Sequence, residues 1–91
     1  MLMITEERNS DVLTFKLAGA LAGDWAIEFN RCWHSAKTSR KSSHIIVELT
    51  EVTFVDEQGK YLLSRMIKEG VELIAYDILV KSIVDEIANK G

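Results

Sequence analysis

The chain has 91 residues, enough for one domain with one hydrophobic core, and its 47% hydrophobic content excludes a disordered chain. The formal net charge of −3 gives no electrostatic reason to expect DNA or RNA binding, which needs clustered lysine and arginine. The single cysteine, Cys32, excludes an internal disulfide and a cysteine-based zinc site, and it fits a reducing, cytoplasmic location.

The hydrophobic runs of the sequence indicate neither a signal peptide nor a membrane span. Residues 1–4 are apolar, but this run is far shorter than a signal-peptide core and lacks a basic flank. No run approaches the ~20 apolar residues that cross a bilayer. We therefore expect no direct insertion into a membrane.

Two strands joined by a polar turn open the chain. Residues 2–6 and 12–18 are predicted strands, and the polar residues 8–11 between them are typical of a turn. In the second strand, apolar side chains alternate with polar ones, so one face is buried and the other is wetter. The apolar positions are Leu13, Phe15 and Leu17. The pair is predicted to form an antiparallel hairpin.

An amphipathic helix is predicted next. Asp24 suits its N-cap, because a carboxylate accepts hydrogen bonds from free backbone N–H groups, and Lys37 near its end suits the helix dipole. Its apolar side chains recur at spacings of three and four. They are Trp25, Phe29, Cys32, Trp33 and Ala36. We expect both tryptophans in the core and Cys32 packed as a small hydrophobe, although a partly exposed Trp25 would suit an interface anchor.

Two strand–helix units complete the chain. Residues 45–49 are β-branched and apolar, as is typical of a central strand covered on both faces. A turn at 56–59 leads to a second helix that ends near Gly70, and a strand at 71–75 leads to a last helix capped by Asp77. The side chains expected to be buried on these two helices are Leu62, Leu63, Met66, Ile67, Val80, Ile83, Val84 and Ile87.

The resulting element order is β-β-α-β-α-β-α. The alternation of strands and helices after the hairpin implies parallel pairing through right-handed crossovers. We predict one α/β domain over residues 1–91, with a four-stranded, mostly parallel sheet and an N-terminal antiparallel hairpin. If such a domain leaves apolar surface exposed, a second copy can cover it, so a homodimer is a further possibility.

The most specific signal lies between the third strand and the second helix. The turn there reads Asp56, Glu57, Gln58 and Gly59. This strand–turn–helix unit resembles the signature loop of the STAS family, the domain of anti-sigma factor antagonists and of sulfate-transporter tails. The predicted element order is also similar to that family, from the first hairpin to the third helix. The resemblance implies a STAS-like regulatory module that binds a protein partner and is not an enzyme.

The turn departs from the family pattern at the position that is phosphorylated. In phosphorylated members, an Asp-Ser-Ser/Thr-Gly turn carries the phosphate on the residue before the glycine; here that residue is Gln58, which a kinase cannot esterify. Glu57 places a fixed charge where the helix dipole favours it. It is either an imperfect, permanent phosphate mimic or a solvated loop residue. Asp56 is expected to cap the helix, and Gly59 to allow a close backbone approach or an unusual dihedral angle.

The resemblance also implies where a partner binds, namely the face around this turn and the second helix. Tyr61 and Arg65 are neighbours on that face, four residues apart, and both residue types are enriched at interface hot spots. The predicted partner-contact residues are Asp56, Glu57, Gln58, Tyr61 and Arg65. The partner would be an anti-sigma factor or a kinase of that class. Alternatively, it would be a transport-complex subunit, because STAS-like domains also occur in lipid-transport ATPases.

Catalysis and metal binding have little support in the sequence. His34 and His44 have no nucleophile or orienting acid nearby in the chain, and two separated histidines with one cysteine do not make a metal site. An enzyme would have to use Asp56, Glu57 and His34. We expect no cofactor and no metal, and two carboxylates in one turn argue against phosphate binding there.

A small basic region precedes the third strand. It contains Lys37, Arg40, Lys41 and His44, among serines and a threonine. It could grip an acidic partner surface, or it could be an ordinary solvated loop.

Overall fold

The computed structural model describes residues 1–39 and 44–90, so Arg40 and Lys41 of the basic region lie outside the described residues. Its elements follow the predicted order. They are β1 (Leu2–Asn9), β2 (Val12–Leu21), α1 (Gly23–Ser39), β3 (His44–Val55), α2 (Glu57–Lys68), β4 (Glu72–Ile74) and α3 (Ile78–Lys90). The predicted α/β class is therefore confirmed.

The four strands form one mixed sheet in the order β1-β2-β3-β4. β1 is antiparallel to β2, and β2, β3 and β4 are mutually parallel. Both crossovers step one strand in the same direction, so right-handed connections place α1 and α2 on the same face of the sheet. α3 packs against α2 on that face as well. The expectation that the third strand is covered on both faces is therefore wrong, because the described helices cover one face only.

β3 is much longer than its predicted span of 45–49, since it continues to Val55. Its pairing with β2 shifts register twice, and each shift inserts one extra residue into β3. As a result, the buried side chains of Leu49, Val52 and Val55 follow one another at intervals of three residues instead of two. The period-two signal of a strand is lost over this stretch, which explains the short prediction.

The core lies between the sheet and the helix layer. Phe15 of β2 meets Phe29 of α1 edge to face, with ring centroids 5.4 Å apart and an interplanar angle of 80°. The predicted buried stripes of α2 and α3 are confirmed, with three of their members only partly buried. These three are Ile67, Ile83 and Val84.

The apolar stripe of α1 is displaced by one position at its start. Trp33 is fully buried, but Trp25 is 43% exposed, so its prediction as a core residue is wrong. Ala26, Phe29, Trp33 and Ala36 follow a 3-4-3 spacing and are all buried. Ala26 thus occupies the place in the stripe that was predicted for Trp25. The side chain of Trp25 lies about 100° around the helix axis from that of Ala26.

The start of α1 also differs from the prediction. The carbonyl oxygen of Ala22 accepts hydrogen bonds from the N–H groups of Trp25 (3.0 Å) and Ala26 (3.4 Å), and the helix begins at Gly23, where φ is +54°. Asp24 therefore lies inside the first turn and is not the N-cap. Its charge still suits the positive end of the helix dipole.

Two other predicted helix ends are confirmed. Asp77 accepts hydrogen bonds from two N–H groups in the first turn of α3, at 2.9 and 3.3 Å. Gly70 ends α2 with φ at +90°; its N–H donates to the carbonyl of Ile67 (3.0 Å), and the N–H of Val71 donates to that of Met66 (3.0 Å). This pair of bonds is the Schellman motif, which needs a residue that tolerates positive φ.

Candidate functional site

The carboxylate of Asp56 joins two strand–helix turns at the edge of the sheet. Its Oδ1 accepts a hydrogen bond from the N–H of Gly59 (2.8 Å), so the predicted N-cap of α2 is confirmed. Its Oδ2 accepts a hydrogen bond from the N–H of Gly23 (2.9 Å), the first residue of α1. The N–H of Asp56 itself donates to the carbonyl of Leu21, the last residue of β2 (3.3 Å). One residue therefore ties the start of α2 to the start of α1.

The same hydrogen bonds set the protonation state of this carboxylate. The backbone N–H of Gly59, and then that of Gly23, stabilise the charged form and hold the pKa of Asp56 below its usual range. The side chain is therefore ionised at neutral pH. A carboxyl group whose pKa lies this far from neutrality is poorly suited to act as a general acid or base.

Gly59 is required for space and not for its backbone angle. A Cβ atom at this position would lie 2.4 Å from the carbonyl oxygen of Leu21 and 2.9 Å from Cγ1 of Val55. The φ angle of Gly59 is not positive. Of the two predicted roles, the close approach is the one observed, and it seats the first turn of α2 directly on the ends of β2 and β3.

The face that follows this turn forms one wall of a groove between α1 and α2. The groove has a volume of about 350 Å³. The α2 side is lined by Glu57, Gln58, Tyr61, Leu62 and Arg65, and the α1 side by Ala26, Ile27 and Asn30. We refer to it as the α1–α2 groove. Four of the five predicted partner-contact residues thus line a single groove.

Exposed apolar surface dominates the middle of the α1–α2 groove. Tyr61 is 67% exposed and Ile27 is 53% exposed, on opposite walls. The guanidinium carbon of Arg65 lies 5.9 Å from the centroid of the Tyr61 ring, a cation–π contact that aligns the two side chains predicted to be neighbours. Glu57, at the rim end, forms an exposed ion pair with Lys60 (3.6 Å).

Asp56 is the predicted contact that does not line the groove. It is half-buried, and both carboxylate oxygens accept main-chain hydrogen bonds. Its position explains the shape of the turn, and a direct contact of Asp56 with a partner stays a prediction.

The α1 wall was missed by the sequence analysis. Ile27 lies outside the buried stripe of α1. An apolar residue on the polar side of a helix indicates exposed apolar surface, and the sequence contained this signal. Asn30 carries a buried Oδ1 atom that has no hydrogen-bond partner among the described residues. A buried polar atom in this state is uncommon in a folded protein.

Comparison with solved structures identifies the fold. SpoIIAA, an anti-sigma factor antagonist solved in its unphosphorylated form, superposes with a TM-score of 0.66 over 94% of this chain and 98% of its own, at 14% identity. The STAS domain of an antisigma-factor antagonist from Rhodobacter sphaeroides gives a TM-score of 0.60 over 81% of this chain and 84% of its own, at 14% identity. The chain has a SpoIIAA-like STAS fold.

Other comparisons limit what this likeness carries. Mglu matches with a TM-score of 0.62 and 21% identity over 80% of this chain, but the chain spans only 19% of Mglu. No protein-family model and no curated protein sequence matches the chain. At sequence identities of 14% and 21%, the likeness establishes the STAS fold and not the function.

The three side chains that an enzyme would need are not brought together. His34 lies 11 residues along α1 from Gly23, or roughly 16 Å along the helix axis, whereas Asp56 bonds Gly23 itself. The His34 ring lies beside Trp33, with centroids 5.0 Å apart and an interplanar angle of 48°. The turn at residues 56–59, which we call the STAS turn, therefore lies near the start of α1, and His34 lies towards its end.

The other titratable candidates from the sequence are Cys32, His44 and Lys37. Burial raises the pKa of the Cys32 thiol, which disfavours its reactive thiolate form. Nε2 of His44 lies 3.0 Å from Oε1 of Glu72, on neighbouring strands. Lys37 of the basic region pairs with Glu69, the residue just after α2. Within residues 1–39 and 44–90, no three His, Cys, Asp or Glu side chains cluster in a way that could hold a metal ion.

The helices of these same two ranges are also too short or too polar to cross a bilayer.

The Asp56 bridge makes a stability prediction. Replacing Asp56 with alanine removes both acceptors and should lower the midpoint of thermal unfolding by roughly 4–8 °C. Asp56→Asn keeps one acceptor oxygen, so its unfolding midpoint should lie between those of the alanine variant and the natural protein. The control is Asp24→Ala, which removes a carboxylate from a helical first turn without a capping bond and should change the midpoint by less than about 2 °C. Equal midpoints for all variants would contradict the bridge.

The pH dependence of this effect follows from the lowered pKa. A carboxyl group whose pKa is lower in the folded state stabilises the fold above its unfolded pKa, and this contribution is lost as the pH falls through the folded pKa. The difference in unfolding midpoint between the natural protein and Asp56→Ala should therefore be largest near pH 7 and should shrink below about pH 4. A difference that does not vary with pH would mean that the ionised carboxylate is not responsible.

Gly59→Ala tests the close packing of the turn. Alanine normally stabilises a helix relative to glycine by about 0.5–1 kcal/mol, but here its Cβ would overlap the carbonyl oxygen of Leu21. We expect a loss of about 1–3 kcal/mol in the free energy of unfolding, measured by urea denaturation. Gln58→Ala, at the exposed neighbouring position, should stay within about 0.5 kcal/mol. A stabilised Gly59→Ala protein would show that the turn has room for the methyl group.

Proposed function

We propose that this protein is a small cytoplasmic regulatory module that binds a protein partner through the α1–α2 groove. We also propose that phosphorylation of the STAS turn does not control this binding. The observation that carries the proposal is the meeting of Gln58, Tyr61 and Arg65 with Ile27 in one groove. Ile27 lies far from the other three residues in the sequence, and only the fold brings α1 and α2 together. The likeness to anti-sigma factor antagonist structures supports a regulatory role.

The chemistry of the groove suits a protein ligand. Tyrosine and arginine are enriched among the residues that dominate binding energy at interfaces, and here Tyr61 is exposed and adjacent to Arg65. Ile27 extends this apolar surface onto the other wall. Glu57 and Arg65 lie eight residues apart on α2, about 12 Å along its axis, so the two ends of the groove carry opposite charges. Such an arrangement favours one orientation of a bound partner.

The turn supports binding without a phosphate switch. Gln58 is exposed on the first turn of α2, at the position where phosphorylated STAS domains carry a hydroxyl, and its amide cannot accept a phosphoryl group. The side chain of Glu57 is 92% exposed beside it and supplies a permanent negative charge at the helix N-terminus. A constant charge at this place agrees with binding that does not depend on a phosphate.

A non-catalytic role is part of the proposal. The depressed pKa of Asp56 makes it a weak base, and the distance between the turn and His34 keeps these two groups from acting as an acid–base pair.

Pull-down experiments with matched variants test the groove. The protein carrying Tyr61→Ala and Arg65→Ala should recover its partner at least tenfold less efficiently, because both proposed anchors are removed. The control carries Tyr76→Ala and Arg31→Ala, which removes the same residue types from exposed sites outside the groove. Mass spectrometry of the recovered protein distinguishes a kinase-like sigma regulator from a transport ATPase.

Equal recovery of every partner by the natural protein and the Tyr61→Ala, Arg65→Ala protein would remove the groove as the binding site. Thermal unfolding of both double variants checks that any loss is not a folding defect.

Phosphorylation is tested directly. Incubation of the protein with ATP and kinases that phosphorylate STAS domains should leave residues 53–64 unmodified, as read by mass spectrometry. The nearest hydroxyls are Thr53, which is exposed, and Ser64, which is half-buried. The control is Gln58→Ser, which restores a hydroxyl at the family position and should become phosphorylated. Stoichiometric phosphate on the natural chain between 53 and 64 would overturn the second half of the proposal.

A further inference from the structure

The face of the sheet that is turned away from the helices forms a surface of its own. The pairing register defines it: Ala18 of β2 lies opposite Met3 of β1 and Glu51 of β3, and Ala20 lies opposite Phe54. The residues of β2 on either side of these two alanines, Leu17 and Leu21, are buried under the helices. We call the surface that carries Met3, Glu7, Lys16, Ala18, Ala20, Glu48, Glu51, Phe54 and Glu72 the open face. None of these nine residues is fully buried.

An uncovered face is unusual for these strands. β2, β3 and β4 are parallel, and parallel sheets in proteins are normally covered on both sides. The part of the open face near the C-terminal ends of β2 and β3 is apolar. Phe54 is 57% exposed and Met3 is 63% exposed, and the small side chains of Ala18 and Ala20 lie between them. Two large apolar side chains on either side of two alanines form a shallow apolar depression.

Acidic side chains occupy much of the rest of the open face. The strands place four carboxylates on this face, together with Lys16 and His44. The carboxylates belong to Glu7, Glu48, Glu51 and Glu72, and Oε1 of Glu72 lies 3.0 Å from Nε2 of His44. Nζ of Lys16 pairs with Glu7 at 3.2 Å; this hydrogen bond, and then the charges of Glu7 and Glu48, raise the pKa of Lys16. Glu51, directly beside the depression, forms no ion pair with any residue that the structure describes.

We propose that the open face is a second docking surface, for a protein partner that presents lysine or arginine around an aromatic or aliphatic side chain. The apolar side chain would lie between Met3 and Phe54, and the basic groups would pair with Glu51 and Glu48. Charge argues against a second copy of this chain as the occupant, because two such acidic faces would repel each other. The α1–α2 groove is on the opposite side of the molecule, so the two surfaces can be occupied at the same time.

The test is an NMR titration of the ¹⁵N-labelled protein with two short peptides. The basic probe is acetyl-Lys-Phe-Lys-Val-Lys-amide, and the second probe carries glutamate in place of each lysine. The basic peptide should shift the amide signals of Ala18, Ala20, Glu51 and Phe54 in a saturable manner, and the acidic peptide should not. Raising NaCl from about 50 to about 500 mM should weaken the binding of the basic peptide, because salt screens exposed charges.

Variants separate the two parts of the surface. Phe54→Thr keeps a strand-forming residue but removes the ring, and Glu51→Gln removes the charge; each should raise the dissociation constant, and together they should raise it roughly tenfold. The control carries Tyr76→Thr and Glu86→Gln, which are exposed sites away from the open face and should bind as the natural protein does. The dispersion of each spectrum reports whether the variant is folded.

The outcomes distinguish this proposal from that of the groove. Binding to the open face that survives Tyr61→Ala, Arg65→Ala supports a separate surface, whatever the pull-down experiments give. The proposal is overturned if the signals that shift belong to the α1–α2 groove, if both peptides bind equally, or if no signal shifts.

Discussion

The organisation of this STAS fold depends on one carboxylate that accepts hydrogen bonds from two helices. Asp56 bonds the N–H of Gly59 in α2 and the N–H of Gly23 at the start of α1, and these two donors are 36 residues apart in the chain. The bond to Gly59 is local and fixes where α2 begins. The bond to Gly23 is long-range and fixes where α1 begins relative to α2. The width of the α1–α2 groove at the edge of the sheet follows from this pair of bonds. At the other end of the helix pair, Lys37 of α1 pairs with Glu69 next to α2.

The same carboxylate bears on the proposal that phosphate does not regulate this turn. The N-terminus of a helix attracts anions because its first N–H groups are free. Here the side chain of Asp56 already occupies the N–H of Gly59, and the exposed charge of Glu57 lies next to it. An external phosphate would have to displace one carboxylate and approach another. The turn thus supplies its own negative charge, which agrees with an amide, and not a hydroxyl, at Gln58.

Local signals in the sequence predicted the parts of this structure that depend on local physics. The cap at Asp56, the stop at Gly70 and the stripe of α2 each involve residues within five positions of one another, so spacing and residue type were sufficient. The bond from Asp56 to Gly23 could not be predicted, because nothing in either residue specifies a partner 33 positions away. The length of β3 was missed for a different reason, since two inserted residues removed the alternation by which a strand is recognised.

The predicted site was incomplete for a related reason. The resemblance to the STAS family predicted partner contacts around α2 only. Four of these predicted residues line the groove, but its other wall is formed by α1. Ile27 supplies exposed apolar surface on that wall, outside the buried stripe of α1. Trp25 is also exposed, because the buried stripe begins at Ala26, one position later than its spacing suggested. A shift of one residue turns a helical side chain by about 100°, which is enough to move a tryptophan from the core to the surface. The side chains available for recognition are therefore decided by the phase of each helix, which the approximate apolar pattern leaves uncertain by one position.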